Sequence, residues 1–193
     1  MEEKDIIKKL SKMIEPERLL HSIGVSKSAK ELAPVYGIDA DKAVIAGLLH
    51  DCAKDFNHDE LIEKCKEYGI EPDWISIRQR GLIHGPLGAR IAKQVFSVED
   101  PDILSAIEFH TFGKKDMSIL EKVIYLSDLI EEGREFDGVE KLRSLARTDL
   151  DAAMIKALDS AIIKTITKGG LIHPNTLEAR NYLIENKVLK NKF

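Results

Sequence analysis

Seven consecutive residues without a charge, Ala43-Val44-Ile45-Ala46-Gly47-Leu48-Leu49, run directly into His50-Asp51. A helix over this run is apolar all round, and such a helix belongs at the centre of a domain rather than on its surface. Whatever follows in the same or the next turn is carried inward with it. A histidine and an aspartate delivered to an apolar interior are costly unless they are paired, protonated or bound to a metal ion. The pair therefore constrains the fold and the chemistry together.

The rest of the chain shows helical periodicity and no convincing strand alternation, so an all-α fold is expected. A first helix is expected over roughly Lys4 to Met13. Pro16, suited to a first helical turn, opens a longer helix ending near Tyr36-Gly37. Asp39 or Asp41 can cap the central apolar helix, and an amphipathic surface helix follows Asn57-His58 and stops at Tyr68-Gly69. Further helices are expected at about Pro86 to Phe96, Pro101 to His110, Ser118 to Glu132 and Val139 to Lys168, the last with a break near Thr148-Asp149. A final helix follows Asn175-Thr176. The 193 residues contain no repeat or low-complexity linker. One domain is expected, large enough to bury a core without disulfides.

The formal net charge is -4, which offers no broad basic field to hold a nucleic-acid polymer. A phosphorylated ligand must be held locally, and a small one fits that limit best. The only cysteines, Cys52 and Cys65, form no disulfide framework and no Cys-x-x-Cys pair, which points to a reducing compartment. The start of the chain is charged, with no apolar signal region, and no stretch reaches the length of a membrane span. The expected location is the cytoplasm, away from membranes. A homodimer is compatible with the sequence, but no residue specifies it.

Further ionisable side chains lie among apolar neighbours. His21 shares a helical face with Val25, Ser28 and Leu32. Asp128 sits within Val123-Ile124-Tyr125-Leu126-Ser127-Asp128-Leu129-Ile130. His110 follows Ile103, Ala106 and Ile107 on one face, and His84 precedes Leu87, Gly88 and Ile91. Imidazoles and carboxylates from separate helices suit iron, manganese, zinc or nickel better than magnesium. Water on such an ion ionises near neutral pH, and the ion polarises a phosphoryl oxygen, which is what a metal-dependent phosphohydrolase needs. Any one histidine is more often an ordinary core or surface residue; it is the set that points to a metal. His58 reads as a surface residue near a helix cap, and Cys52 as a buried, inert thiol.

The order His21, His50-Asp51, His84, His110, Asp128 resembles the HD superfamily of metal-dependent phosphohydrolases. The flanking words are more specific. Leu49-His50-Asp51-Cys52-Ala53-Lys54, Ile83-His84-Gly85-Pro86-Leu87-Gly88-Ala89, His110-Thr111, Met117 to Asp128 and Leu171-Ile172-His173-Pro174-Asn175-Thr176-Leu177-Glu178-Ala179-Arg180-Asn181 resemble the YqeK family. The likeness runs from about His21 to Asn181. It implies a single HD-type helical bundle over 1–193, with a metal-binding core at about 18–135 and C-terminal helices at about 139–193 packed on it.

The resemblance also implies symmetrical hydrolysis of diadenosine tetraphosphate to two ADP by metal-bound hydroxide, with iron as the usual metal. It makes His21, His50, Asp51 and Asp128 the metal ligands. His84 and His110 would face substrate phosphate or complete a second metal site. Thr111, Arg134, and the segment Leu171, Ile172, His173, Pro174, Asn175 and Thr176 would hold the nucleoside diphosphate half, beside Asp128. Asp51 would align the nucleophile, and Lys54, a turn beyond His50, would reach a phosphate with His84 and His110. One departure stands out: the family runs Ile-Glu-Pro-x-Arg where this chain has Ile130-Glu131-Glu132-Gly133-Arg134. Two alternatives are an HD-type nucleotidase acting on (deoxy)nucleoside mono- or triphosphates and a non-catalytic nucleotide-binding regulator.

Overall fold

The apolar run forms helix α3 (Ala40–Leu49), started by Asp39, whose carboxylate accepts from the amides of Asp41 and Lys42. In this computed structural model, which describes residues 2–190, Ala46, Leu48 and Leu49 have no exposed surface. Helix α2 (Pro16–Leu32) lies directly against α3. The contact is close because of Gly47: a Cβ there would stand 2.7 Å from Ser26 Cα. α1 (Glu3–Leu10) packs on α3 and buries Ile6 and Leu10. α2 stops earlier than its pattern suggests, because a 3₁₀ turn takes over at Pro34–Tyr36 and Gly37 turns left-handed at φ 65°. Pro34 has no amide proton to continue the helical ladder.

α4 (His58–Glu67) opens on a capping box in which Asn57 and Glu60 satisfy each other's backbone amides. α5 (Trp74–Arg78) escapes a reading by period, since five residues complete barely more than one turn; Asp73 caps it. α6 (Arg80–Phe96) begins well before Pro86 and carries that proline inside. Proline removes one backbone bond and was expected to open the helix, but the flanking turns continue through it. α7 (Pro101–Phe109) is capped by Asp100, and α8 (Ile119–Ile130) by a box of Ser118 and Glu121. The expected break near Thr148-Asp149 separates α9 (Val139–Ala146) from α10 (Leu150–Thr167), with Asp149 accepting from the Ala152 amide. α11 (Pro174–Lys190) ends the described chain.

No strand occurs among the described residues, and the fold is all-α. α2, α3, α7 and α8 pack around the centre, α6 lies on α7, and α9 and α10 lie on α8 with α11 behind α10. One apolar cluster runs through all of this, from Ile6 and Leu49 through Ile107 and Ile124 to Met154 and Leu183. Burying each such aliphatic side chain contributes about 1.5–3 kcal/mol before chain entropy is charged against it. The expected domain span of 1–193 reaches past the described residues at Met1 and 191–193. No helix among the described residues is long and apolar enough to cross a membrane.

Candidate metal centre

Side chains from within α2, α6 and α8 and from the C-terminal ends of α3 and α7 converge at the middle of this bundle. His50 and His110 each cap the C-terminus of their helix, α3 and α7. The last carbonyls of a helix have no amide partner of their own. Both histidines use one: His50 Nδ1 lies 2.8 Å from Gly47 O and His110 Nδ1 lies 2.7 Å from Ile107 O. With the Nδ1 proton donated there, each Nε2 presents a lone pair to the centre. Close approach of α6 to α7 completes the wall, and Gly85 permits it, since a Cβ there would sit 2.6 Å from Glu108 O.

The facing atoms are crowded. His21 Nε2 is 2.9 Å from Asp128 Oδ1 and 3.8 Å from Asp51 Oδ2. Asp51 Oδ1 is 3.1 Å from His84 Nε2 and 3.4 Å from His110 Nε2, and the two imidazole Nε2 atoms are 3.0 Å apart. Asp51 is fully buried. His50 Nε2 is buried with no hydrogen-bond partner among the described residues; carboxylate oxygens of Asp51 and Asp128 stand at 3.5 and 3.8 Å. A buried lone pair facing carboxylates across such gaps is the arrangement that a cation completes. Three overlapping sets of donors lie within 4.8 Å of one another: His21, His50 and Asp51; His50, His110 and Asp128; and Asp51, His84 and His110. The donor chemistry and the orphaned nitrogen both fit a divalent ion of the transition series.

Electrostatics agree. Burial alone would raise the Asp51 carboxyl, yet His50, His110, His84 and Lys54 hold it well below the ordinary carboxylate range. Asp128 is likewise held low against burial, by His21 and His50. Burial disfavours a charged His50, and the carboxylates facing it outweigh that and push its value up. The centre thus draws positive charge to itself. His84 goes the other way, to about 4, because desolvation exceeds its attraction to Asp51. It is a neutral imidazole at physiological pH. Cys52 is buried and its thiol is pushed up by that burial and by Asp51, as an inert core thiol should be.

The polar surroundings differ in places from the sequence reading. α3 ends at Leu49, so Lys54 does not lie on the same helix as His50. It sits in the following turn with Nζ 2.9 Å from Asp51 Oδ2. Arg134 folds back on Asp128, with Nε 2.7 Å from its carbonyl and Nη2 2.6 Å from Oδ1. The turn before it forms without the family's proline: Glu131 Oε2 accepts from Gly133 N at 2.6 Å and Arg143 ties down the carbonyls of Ile130, Glu131 and Arg134. Thr111 Oγ1 is buried without a partner among the described residues.

The segment Leu171 to Thr176 makes its contacts away from the cluster. Gln79 donates to Leu171 O, Thr176 Oγ1 donates to Phe112 O at 3.0 Å, and His173 stacks on Phe112 at 4.5 Å with Nε2 3.3 Å from Asp73. Of these residues Phe112, His173 and Asp73, together with Phe109 and Asn175, line a cavity of about 310 Å³. A larger open groove of about 940 Å³ reaches the centre's other side at His21 and Glu131.

Two residues at the centre were not singled out from the sequence. Arg18 puts Nη1 3.2 Å from Asp51 Oδ2 and is anchored by Nε on Asp55 at 2.9 Å. Its position three residues before His21, on the same helical face, was a usable signal. Glu131 Oε1 lies 3.1 Å from His21 Nδ1; the Ile130 to Arg134 word contains this residue, but nothing in that word shows which side chain it meets.

A buried His/Asp cluster that could hold a metal ion, set in an all-helical bundle, is the arrangement of the HD class, and residues 18–133 match the HD domain. The symmetrical bis(5'-nucleosyl)-tetraphosphatase of Halalkalibacterium halodurans is 41% identical over 86% of this chain and 89% of that protein. Its counterpart in Bacillus subtilis is 38% identical over the same shares. A crystal structure of a predicted HD superfamily hydrolase of Clostridium acetobutylicum, described as involved in NAD metabolism, is 46% identical. It superposes with a TM-score of 0.93, covering 96% of this chain and 98% of that one. The chain belongs to the HD domain family, in its symmetrical bis(5'-nucleosyl)-tetraphosphatase branch.

Proposed function

We infer that this chain is a metal-dependent hydrolase that cuts diadenosine tetraphosphate at its central bridge and releases two molecules of ADP. The observation that carries the reading is His50 Nε2, buried before two carboxylates and without a hydrogen-bond partner among the described residues. The activity in the names of the relatives supports the choice of substrate. His21, His50, Asp51 and Asp128 would hold the ion, with iron first and manganese, nickel or zinc as substitutes, because imidazole and carboxylate donors suit these metals. When bound, such an ion brings the ionisation of water near neutrality and polarises a phosphoryl oxygen.

The chain's own groups do the rest. Asp51 accepts a hydrogen bond from the attacking water and aligns it. Lys54 and Arg18, beside Asp51, neutralise charge that grows on the transferring phosphoryl group. His84 and His110 contact a phosphate or, with Asp51, take a second ion. The water oxygen bonds to one β-phosphorus as the bridging oxygen leaves with the other ADP, and the water's proton passes to solvent. Thr111, Arg134 and Asp128 would face the phosphates of one nucleoside diphosphate half. The cavity beside Leu171 to Thr176 is of a size usual for small-molecule sites, and its Phe112–His173 stack offers a flat apolar wall for a base. The acidic balance favours a small dinucleotide over a polymer. Two free, buried cysteines favour the cytoplasm.

The test is incubation of protein reconstituted with ferrous or manganous ion against a panel of dinucleoside polyphosphates and mononucleotides. ADP as sole product from diadenosine tetraphosphate is the expected result. AMP with ATP, or attack on mononucleotides in preference, replaces the reading with a nucleotidase; binding without turnover replaces it with a regulator. Elemental analysis of the same samples reports the metal and its count.

A further inference from the structure

We propose that Glu131 is a positioning residue for the metal centre: its carboxylate holds the His21 ring so that Nε2 is the nitrogen offered to the ion. The proposal rests on the metal reading of the cluster. His50 and His110 stand at helix C-termini, where a free backbone carbonyl fixes each ring. His21 is inside α2, where the carbonyls are already taken by amides one turn on. It needs an acceptor from elsewhere, and Glu131 supplies one at 3.1 Å.

The fold makes room for that carboxylate. Its side chain is 8% exposed. A Cβ at Gly24 would lie 2.7 Å from Oε2, and one at Gly133 would lie 3.1 and 3.2 Å from the two oxygens. Gly133 N donates to Oε2 at 2.6 Å, and Arg143 holds the Glu131 carbonyl at 2.7 Å, so the side chain and the main chain are both pinned. α8 thus supplies Asp128 from its last turn and, directly after its end, the support for the histidine that Asp128 faces. A carboxylate accepting from Nδ1–H also makes Nε2 a stronger donor to a metal.

The experiment compares full-length wild type, E131A, E131Q, G24A and the G24A/E131A double variant for Mn(II) affinity and for the exchangeable ring N–H resonances of the Co(II)-loaded protein. E131A is expected to lose about 10- to 100-fold in affinity, the usual scale for such supporting groups. It should also lose the solvent protection of the His21 N–H while the His50 N–H, held by Gly47, stays in place. E131Q, whose single amide oxygen must choose between His21 and Gly133, should fall between. G24A, which puts a better helix former into α2, should weaken binding by displacing the carboxylate and should add nothing in the E131A background. Unchanged affinity and an unchanged His21 resonance in E131A overturn the proposal, as does an equal G24A effect with and without Glu131. Wild type that takes up neither ion overturns the metal reading itself, and this proposal with it.

Discussion

His50 and His110 meet edge to face with ring centroids 4.9 Å apart, each anchored by Nδ1 to the carbonyl three residues behind it. Two helix ends that would otherwise carry unpaired carbonyls instead each fix one imidazole, the two rings nearly perpendicular. Asp51 follows directly from one of them, and the predictions below turn on how it and its neighbours are held.

Asp51 is the carboxylate on which His84, His110, Lys54 and Arg18 all close. Asp51→Ala is expected to lose bound metal and turnover together while helical content survives, because the apolar core does not depend on it. Metal analysis, ADP formation with added metal and far-ultraviolet circular dichroism check this. Full activity in that variant would remove the central assignment.

Lys54 and Arg18 touch Asp51 from the outer side, with side chains 30% and 29% exposed. Lys54→Ala and Arg18→Ala are each expected to lower kcat by about 10²-fold with metal content intact, the scale of losing one preorganised charge partner. Arg18→Lys should restore little, since an ammonium cannot hold Asp55 and Asp51 through one planar fork. Loss of metal in the Lys54 variant would show a structural role instead.

Asp73 links the α5 cap to His173. Burial tends to raise its carboxyl, but the Ser76 hydroxyl, the amides of Ser76 and Ile75, and His173 bring it down from 3.8 to about 2. A folded value below the unfolded one stabilises the fold above the unfolded value, and that contribution is lost as pH falls through the folded value. Asp73→Asn should therefore differ from wild type in stability near neutrality, with the difference closing as pH is taken down from about 4 towards 2. Denaturant titrations of both proteins across that range measure it; a gap that stays constant would rule out the linkage.

Gly47→Ala tests the α2–α3 contact. Alanine favours a helix by about 1 kcal/mol over glycine. Here its Cβ meets backbone, Ser26 Cα at 2.7 Å and Ser26 N at 2.9 Å, which cannot rotate away. Overpacking of this kind costs about 1–3 kcal/mol, enough to outweigh the propensity and lower Tm by a few degrees. Calorimetry reads the shift, and an unchanged or raised Tm would mean that the helices separate freely.

The all-α class, the central place of the Ala43 to Leu49 helix and the caps at Asp39, Asn57 and Ser118 were legible in the linear chain. Each depends on period or on hydrogen bonds spanning a few residues. The ordered series His21, His50-Asp51, His84, His110 and Asp128 was legible too, because charge inside an apolar helix is conspicuous without coordinates. α5 and the true start of α6 were not, since a five-residue helix has too little period and a proline usually marks a start. Tertiary structure alone decided that Lys54 leaves the helix, that Arg134 turns onto Asp128 and that Leu171 to Thr176 rest on Phe112 and Asp73. It also decided that Glu131 meets His21 across 110 residues of sequence. Such contacts are settled by how close two helices can pack, which here depends on glycines at 24, 47 and 85 meeting particular partners. No pattern within either partner's own stretch of chain encodes that approach.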